Sequence, residues 1–115
     1  MSVTFLTSNP QELLNSFNAR IEQTEAAGKI TTWVRSEDKL FYTHKAVEWA
    51  NKAWFSPAVE AGKLTFNIIK PKNANISTTV YGYYHGHLIE TFLNHFDKMF
   101  SVGQATALAT VNDVT

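Results

Sequence analysis

The sequence of 115 residues has no cysteine, which excludes disulfide bonds, thiolate nucleophiles and cysteine ligands to a metal. A reducing compartment, the cytoplasm, is therefore expected. Residues 1–10 lack the basic start and long apolar run of a signal peptide, which agrees with that expectation. No stretch approaches the ~20 apolar residues of a membrane span, so no membrane association is expected.

Neither sign of charge predominates, because ten basic residues balance ten acidic ones. Nucleic-acid-binding domains usually carry a basic surplus, so no nucleic-acid partner is expected. The glycine-rich and serine-centred motifs of nucleotide-binding proteins and α/β-hydrolases are also missing. The sequence therefore predicts no cofactor, and an enzymatic function is disfavoured without being excluded.

The composition nevertheless predicts a folded protein with an unusual supply of rings. Hydrophobic residues make up 44% of the chain and charged residues 17%, which favours a packed core over disorder. The length suits one domain. Eight Phe, four Tyr and three Trp can exceed what so small a core encloses, so some rings are candidates for a binding surface.

The N-terminal half predicts strands and helices in alternation. Residues 2–7 alternate apolar and polar side chains, as a strand does. Asn9, Pro10 and Glu12 form a helix start, and Gly28 suits the end of that helix. Two strands are expected around the turn 36–38. The alanine spacing of residues 44–55 then predicts a second helix, extended by one helical turn over residues 56–62.

The C-terminal half predicts a hairpin followed by a long helix. Residues 63–70 and 76–84 have strand composition, and residues 86–100 have helical spacing with a broad apolar face. Lys63, Lys70 and Lys72 flank the hairpin, where lysines usually protect a sheet edge and less often bind an anion.

The element order predicts an α+β fold, namely a two-layer sandwich. Its mostly antiparallel sheet has four to five strands, with helices on one face. Residues 1–100 form the single domain. Residues 101–115 form a C-terminal tail, for which one strand around residues 106–111 and fraying are both open.

The segment 80–96 concentrates histidine, tyrosine and phenylalanine. If residues 76–84 form a strand, Tyr81, Tyr83 and His85 share one sheet face, and His85 and His87 lie about 6–7 Å apart. A helix beginning near Gly86 breaks that arrangement. It makes His87 and Glu90 i,i+3 neighbours instead. No third ligand has suitable spacing, so we expect no metal site.

The candidate binding residues are Trp33, Tyr81, Tyr83, His85 and His87, as an interface or a pocket. The leading hypothesis is a small interaction domain that self-associates as a homodimer through an aromatic surface. A second hypothesis is a small-molecule pocket between sheet and helices, with weak histidine-based catalysis. Another protein and a small apolar ligand are the alternative partners, and the rings could also simply fill the core.

Overall fold

The computed structural model describes residues 1–115 and has six strands and two helices. The elements are β1 (Ser2–Leu6), α1 (Pro10–Glu22), β2 (Trp33–Arg35), β3 (Tyr42–His44), β4 (Trp54–Glu60), β5 (Lys63–Ile69), α2 (Thr78–Phe96) and β6 (Val102–Ala105). The predicted α+β class is confirmed, whereas the predicted count of four to five strands is too low. Neither helix has the length and hydropathy that crossing a membrane requires.

The strands form one sheet in the order β2-β3-β4-β5-β1-β6. Every neighbouring pair is antiparallel, which agrees with the predicted, mostly antiparallel sheet. The first strand therefore lies inside the sheet, between β5 and β6. The last strand and β2 form the two edges.

The start of α1 agrees with the sequence prediction, but its end does not. The Asn9 side chain accepts a hydrogen bond from the backbone N–H of Glu12, and Pro10 opens the helix. Leu13 and Phe17 of this helix are buried. The helix ends at Glu22, before the predicted Gly28, because the backbone becomes extended at residue 23.

Residues 44–62 contain a strand where the alanine spacing predicts helix. Residues 46–52 form turns, and Asn51 has a φ of 61°, which interrupts a helix. The Thr43 hydroxyl fixes these turns by accepting from the Asn51 N–H at 3.0 Å and donating to the Ala53 carbonyl at 2.8 Å. Pro57 is tolerated in β4 because β3 pairs with β4 only at Tyr42 and Phe55.

Residues 78–84, predicted as a strand, form the first two turns of α2. Ser77 caps the helix by accepting from the Val80 N–H at 3.2 Å. Tyr81, Tyr84 and Leu88 are buried at helical spacing on one side. The strand alternation that placed Tyr81, Tyr83 and His85 on a common sheet face is therefore wrong.

Both helices contact the same ring of the sheet. Phe66 of β5 lies 5.8 Å from Phe17 of α1 and 5.6 Å from Phe92 of α2, measured between ring centroids. Phe17, Phe66, Phe92 and Phe96 are buried. Val80 is only partly buried.

The C-terminal segment forms its strand earlier than predicted and then crosses to β5. The strand spans Val102–Ala105, whereas residues 106–111 were expected to provide it. Asp113 fixes the position of the segment that follows this strand. Its carboxylate accepts from the Ile68 N–H at 3.0 Å and from the Thr110 N–H at 2.7 Å. Val114 then forms a parallel bridge with Ile69.

Replacing Asp113 with alanine is expected to lower the free energy of unfolding by about 1–3 kcal/mol, because two backbone donors lose their acceptor. Chemical denaturation measures this loss. Asn112→Ala, which changes an exposed neighbour, is the matched control and should leave the free energy of unfolding nearly unchanged. Equal stability of the two variants would show that Asp113 does not hold the segment.

Candidate functional site

Two histidines that are distant in sequence meet beside α2. His44 is the last residue of β3 and is only 2% exposed. His87 lies on α2, and 22% of its side chain is exposed. Nε2 of His44 and Nδ1 of His87 are in hydrogen-bonding contact. The sheet and α2 therefore bring together a pair of titratable rings, one inside the protein and one at its surface.

The hydrogen bonds around this pair have a single consistent direction. The backbone N–H of Ala46 donates to Nδ1 of His44 at 3.1 Å, so the proton of a neutral His44 lies on Nε2. That proton is donated to Nδ1 of His87. The proton of a neutral His87 then lies on Nε2, 3.5 Å from a carboxylate oxygen of Glu90. Glu90 is exposed to solvent and forms the outer end of this series of polar contacts.

Burial makes protonation of the inner ring unfavourable. Burial, together with a smaller contribution from the neighbouring His87, lowers the pKa of His44 to about 4. A proton on His44 would also place an N–H opposite the Ala46 N–H, because both nitrogens of an imidazolium are donors. The inner ring is thus held neutral near pH 7. The direction of donation is therefore fixed from the Ala46 N–H, through both histidines, to Glu90 at the surface.

Aromatic rings enclose the histidine pair on the solvent side. Tyr83 and Trp49 stack face to face, with centroids 3.9 Å apart and an interplanar angle of 7°. The Tyr83 ring lies 5.2 Å from both His44 and His87. Trp49 and Tyr83 are partly exposed, so their stack forms the aromatic part of the surface here.

The predicted site residues divide between the core and the surface. Trp33 is 1% exposed, and its indole N–H donates to the Thr91 hydroxyl at 3.0 Å. Tyr81 and His85 also lie on the buried side of α2. Tyr83 and His87 lie one helical turn apart, and they are the two of the five candidates that the structure brings together at the surface.

His85 is a buried polar group with half of its hydrogen-bonding capacity unused. Its Nδ1 lies 2.8 Å from the Tyr81 carbonyl, to which it donates, whereas its buried Nε2 has no partner. Burial lowers the pKa of His85 to about 4. The residue is therefore a neutral ring in the core. Only 4% of its surface is exposed, which leaves little of the ring accessible for the binding role that the sequence suggested.

The side of α2 that points away from the sheet combines glycine with apolar side chains. Its centre carries Gly82, Gly86 and Leu93, all exposed. Tyr83 and Ile89 flank this line on its two sides. We call these five residues the α2 outer face. The exposed Glu90 lies on the same side of the helix, between Gly86 and Tyr83.

The structure adds His44 and Trp49 to the site, and sequence reasoning missed both. Neither has a spacing relation to the segment 80–96. The His44 contact depends on β3 lying beside α2, and the Trp49 contact depends on the turns of residues 46–52. The i,i+4 spacing of Tyr83 and His87 is the one available signal, and the strand assignment concealed it.

The site has neither a cavity nor a set of metal ligands. None of the five cavities in the molecule is lined by His44, His87 or Tyr83. No three side chains among His, Asp and Glu are grouped so as to hold a metal ion.

The sequence matches no protein-family model, no curated protein and no solved structure.

Proposed function

We propose that this protein is a small interaction domain that forms a homodimer through the α2 outer face. The observation that carries the proposal is an exposed helix surface on which two glycines lie beside Tyr83, Ile89 and Leu93. Leu93 is 52% exposed at its centre. The Trp49–Tyr83 stack extends the apolar surface on one side, which gives the proposed interface its aromatic part.

The glycines support this proposal because the single chain does not need them. A glycine inside a helix costs about 0.5–1 kcal/mol relative to alanine. Neither Gly82 nor Gly86 has a positive φ. A Cβ added at either position would meet no atom within 4 Å. Close approach of a second helix is a role that glycine fills and alanine fills less well.

A second copy is the proposed occupant because the face is self-complementary. In an antiparallel pair of helices centred on Gly86, Tyr83 of one copy opposes Ile89 of the other. In the same register Glu90 opposes Gly82, where there is room for a side chain. The formal charge of zero gives little long-range repulsion between copies. Symmetric pairing of one patch with itself is the commonest form of oligomer.

Two finer features belong to the same proposal. The helices would form one layer over one face of the sheet, which leaves the α2 outer face as the outside of a two-layer sandwich. The cytoplasm remains the proposed compartment, because the chain has no cysteine. Catalysis is not part of the proposed function.

Sedimentation at micromolar concentration tests the dimer, with an expected mass of twice the 12.9 kDa chain. Gly86→Gln should abolish the dimer, because a long side chain blocks close approach of the helices. The same change favours the helix itself, by about 0.5 kcal/mol or more, so the monomer should remain folded by circular dichroism.

Ala19→Gln provides the matched control, because it adds the same side chain at an exposed position of α1. That variant should remain dimeric. A monomeric wild type would overturn the proposed function. A dimer that persists in Gly86→Gln would place the interface elsewhere.

A further inference from the structure

We infer that the molecule carries a second site, a groove that binds a small organic anion with an aromatic body. Its lining includes Phe41, Trp54, Ile69, Lys70, Pro71 and Lys72, around a cavity of about 300 Å³. That volume is at the lower end of the range for small-molecule sites, which begins at about 300 Å³. This inference goes beyond the proposed dimer, and no residue of the proposed interface lines the groove.

The groove lies on the face of the sheet opposite the core. Phe41, Trp54 and Ile69 are each next in sequence to a buried core residue, namely Tyr42, Phe55 and Ile68. Neighbouring strand residues point to opposite faces, so Trp54 and Ile69 point away from the core. Phe41 directly precedes β3 and lines the same cavity. Trp54 and Ile69 are register partners on β4 and β5, which places them side by side.

Apolar groups are concentrated at this end of the outer sheet face. Farther along, the same face carries Thr4, Thr65 and Asn67, and the two threonine hydroxyls are 3.1 Å apart. Phe41, Trp54 and Ile69 are only partly buried. The single chain therefore leaves two rings and an isoleucine open to water at the groove, and an apolar ligand body would cover them.

The two lysines define the charge of the ligand. The ion pairs of the lysine and arginine side chains involve Arg35, Lys39 and Lys63. Lys70 and Lys72 have no carboxylate within 4.0 Å, although acidic and basic residues are equal in number overall. Two ammonium groups beside an apolar cavity fit a ligand that joins an aromatic body to a carboxylate, sulfonate or phosphate.

A neighbouring cavity gives the anionic group room. It has a volume of about 540 Å³ and shares Pro71 and Lys72 with the groove. Lys52 also lines it, with its ammonium 5.8 Å from the centre of the Trp49 ring. A third cation therefore lies on the side to which the charged end of the ligand would extend. The sequence alone had favoured protection of the sheet edge by the hairpin lysines.

Naphthalene-2-carboxylate is a suitable probe, and the uncharged naphthalene-2-carboxamide is its matched partner. Titration followed by Trp fluorescence and calorimetry should show one equivalent of the carboxylate bound. The amide should bind at least about tenfold more weakly, because it makes no charge-assisted contact with Lys70 and Lys72. Equal affinity for the two probes would overturn the inference.

Two variants locate the site. Lys70→Gln with Lys72→Gln should weaken carboxylate binding by about tenfold or more and leave amide binding unchanged. Lys63→Gln removes a lysine from the opposite end of β5 and should leave both affinities unchanged. Trp54→Ala should weaken both probes. If that variant fails to fold, the lysine pair still decides the outcome.

Inorganic phosphate distinguishes an aromatic anion site from a simple charge site. Phosphate lacks an apolar body, so it should bind far more weakly than the naphthalene carboxylate. Phosphate binding of equal affinity would contradict the inference, as would carboxylate binding that the lysine pair does not affect. Sedimentation of the same variants should show the same oligomeric state as the wild type, so the groove and the dimer can fail independently.

Discussion

Phe92→Ala is expected to lower the free energy of unfolding by about 3–5 kcal/mol, the usual range for deleting a fully buried phenylalanine. Phe92 has no exposed surface. Its ring stacks on Phe5 of β1 with centroids 4.1 Å apart, and it also contacts Phe17 and Phe66. The cavity would therefore open where α1, α2 and the centre of the sheet meet. Three elements cannot easily collapse onto it together.

Chemical denaturation at pH 7.5 measures this loss. A domain of this kind has a total stability of about 5–15 kcal/mol, so the variant should lose a large part of it. Leu108→Ala is the control, because Leu108 is 78% exposed and its truncation should have little effect. A denaturation midpoint in Phe92→Ala equal to that of the wild type would show that α2 does not pack on the sheet.

Local sequence signals predicted the start of α1 and the strand β5 correctly, because in these two places the signals agree with the tertiary packing. The capping residues Asn9 and Pro10 act within one turn of helix, so they are readable without any partner. In β4 the local signal and the packing disagree. Alanine at helical spacing occurs in residues 46–53, but Thr43 fixes turns in that stretch. Neighbouring strands then decide the conformation of residues 54–60.

The start of α2 shows the opposite error. Residues 76–84 are rich in β-branched and aromatic side chains, which on average favour strands. Burial of Tyr81, Tyr84 and Leu88 on one side of a helix outweighs that average preference. The spacing of these three residues was visible in the sequence. The periodicity of the helix could have been extended back to Ser77.

The histidine pair could not be found from spacing at all. His44 and His87 are 43 residues apart, and their contact requires β3 to lie beside the middle of α2. A prediction of the pair needs the sheet order first, since β3 lies next to the edge. Chemistry assembled across a sheet is in this respect harder to read than a motif on one helix.

The two buried histidines predict a loss of stability in mild acid. Burial lowers the pKa of both His44 and His85 from 6.5 to about 4. His44 faces His87 and the rings of Trp33, Tyr83 and Tyr84. His85 faces Phe55 and Tyr81, and the charges of Asp113 and the N-terminal amine also influence its pKa. The folded state therefore keeps both rings neutral at a pH where the unfolded chain protonates them.

The sign of the effect follows from proton uptake on unfolding. Above pH 6.5 both states are neutral, and the stability is fully present. Between pH 6.5 and pH 4 only the unfolded chain binds these protons. The free energy of unfolding should therefore fall by up to about 1.4 kcal/mol per pH unit for each histidine. Glu22 and Asp38, whose pKa values are also lowered by hydrogen bonds, add their losses below their ordinary pKa values of 4.5 and 3.8.

Urea denaturation between pH 7.5 and pH 4.5 measures this dependence, and His85→Leu isolates one of its two sources. Leucine fills the buried site without a titratable nitrogen and removes the unpartnered Nε2. The variant should gain stability relative to the wild type as the pH falls, because its unfolded state takes up one proton fewer. The slope that remains should belong mainly to His44. If the slope is the same with and without His85, that ring is not held neutral in the core, and its burial against Tyr81 and Phe55 would have to be given up.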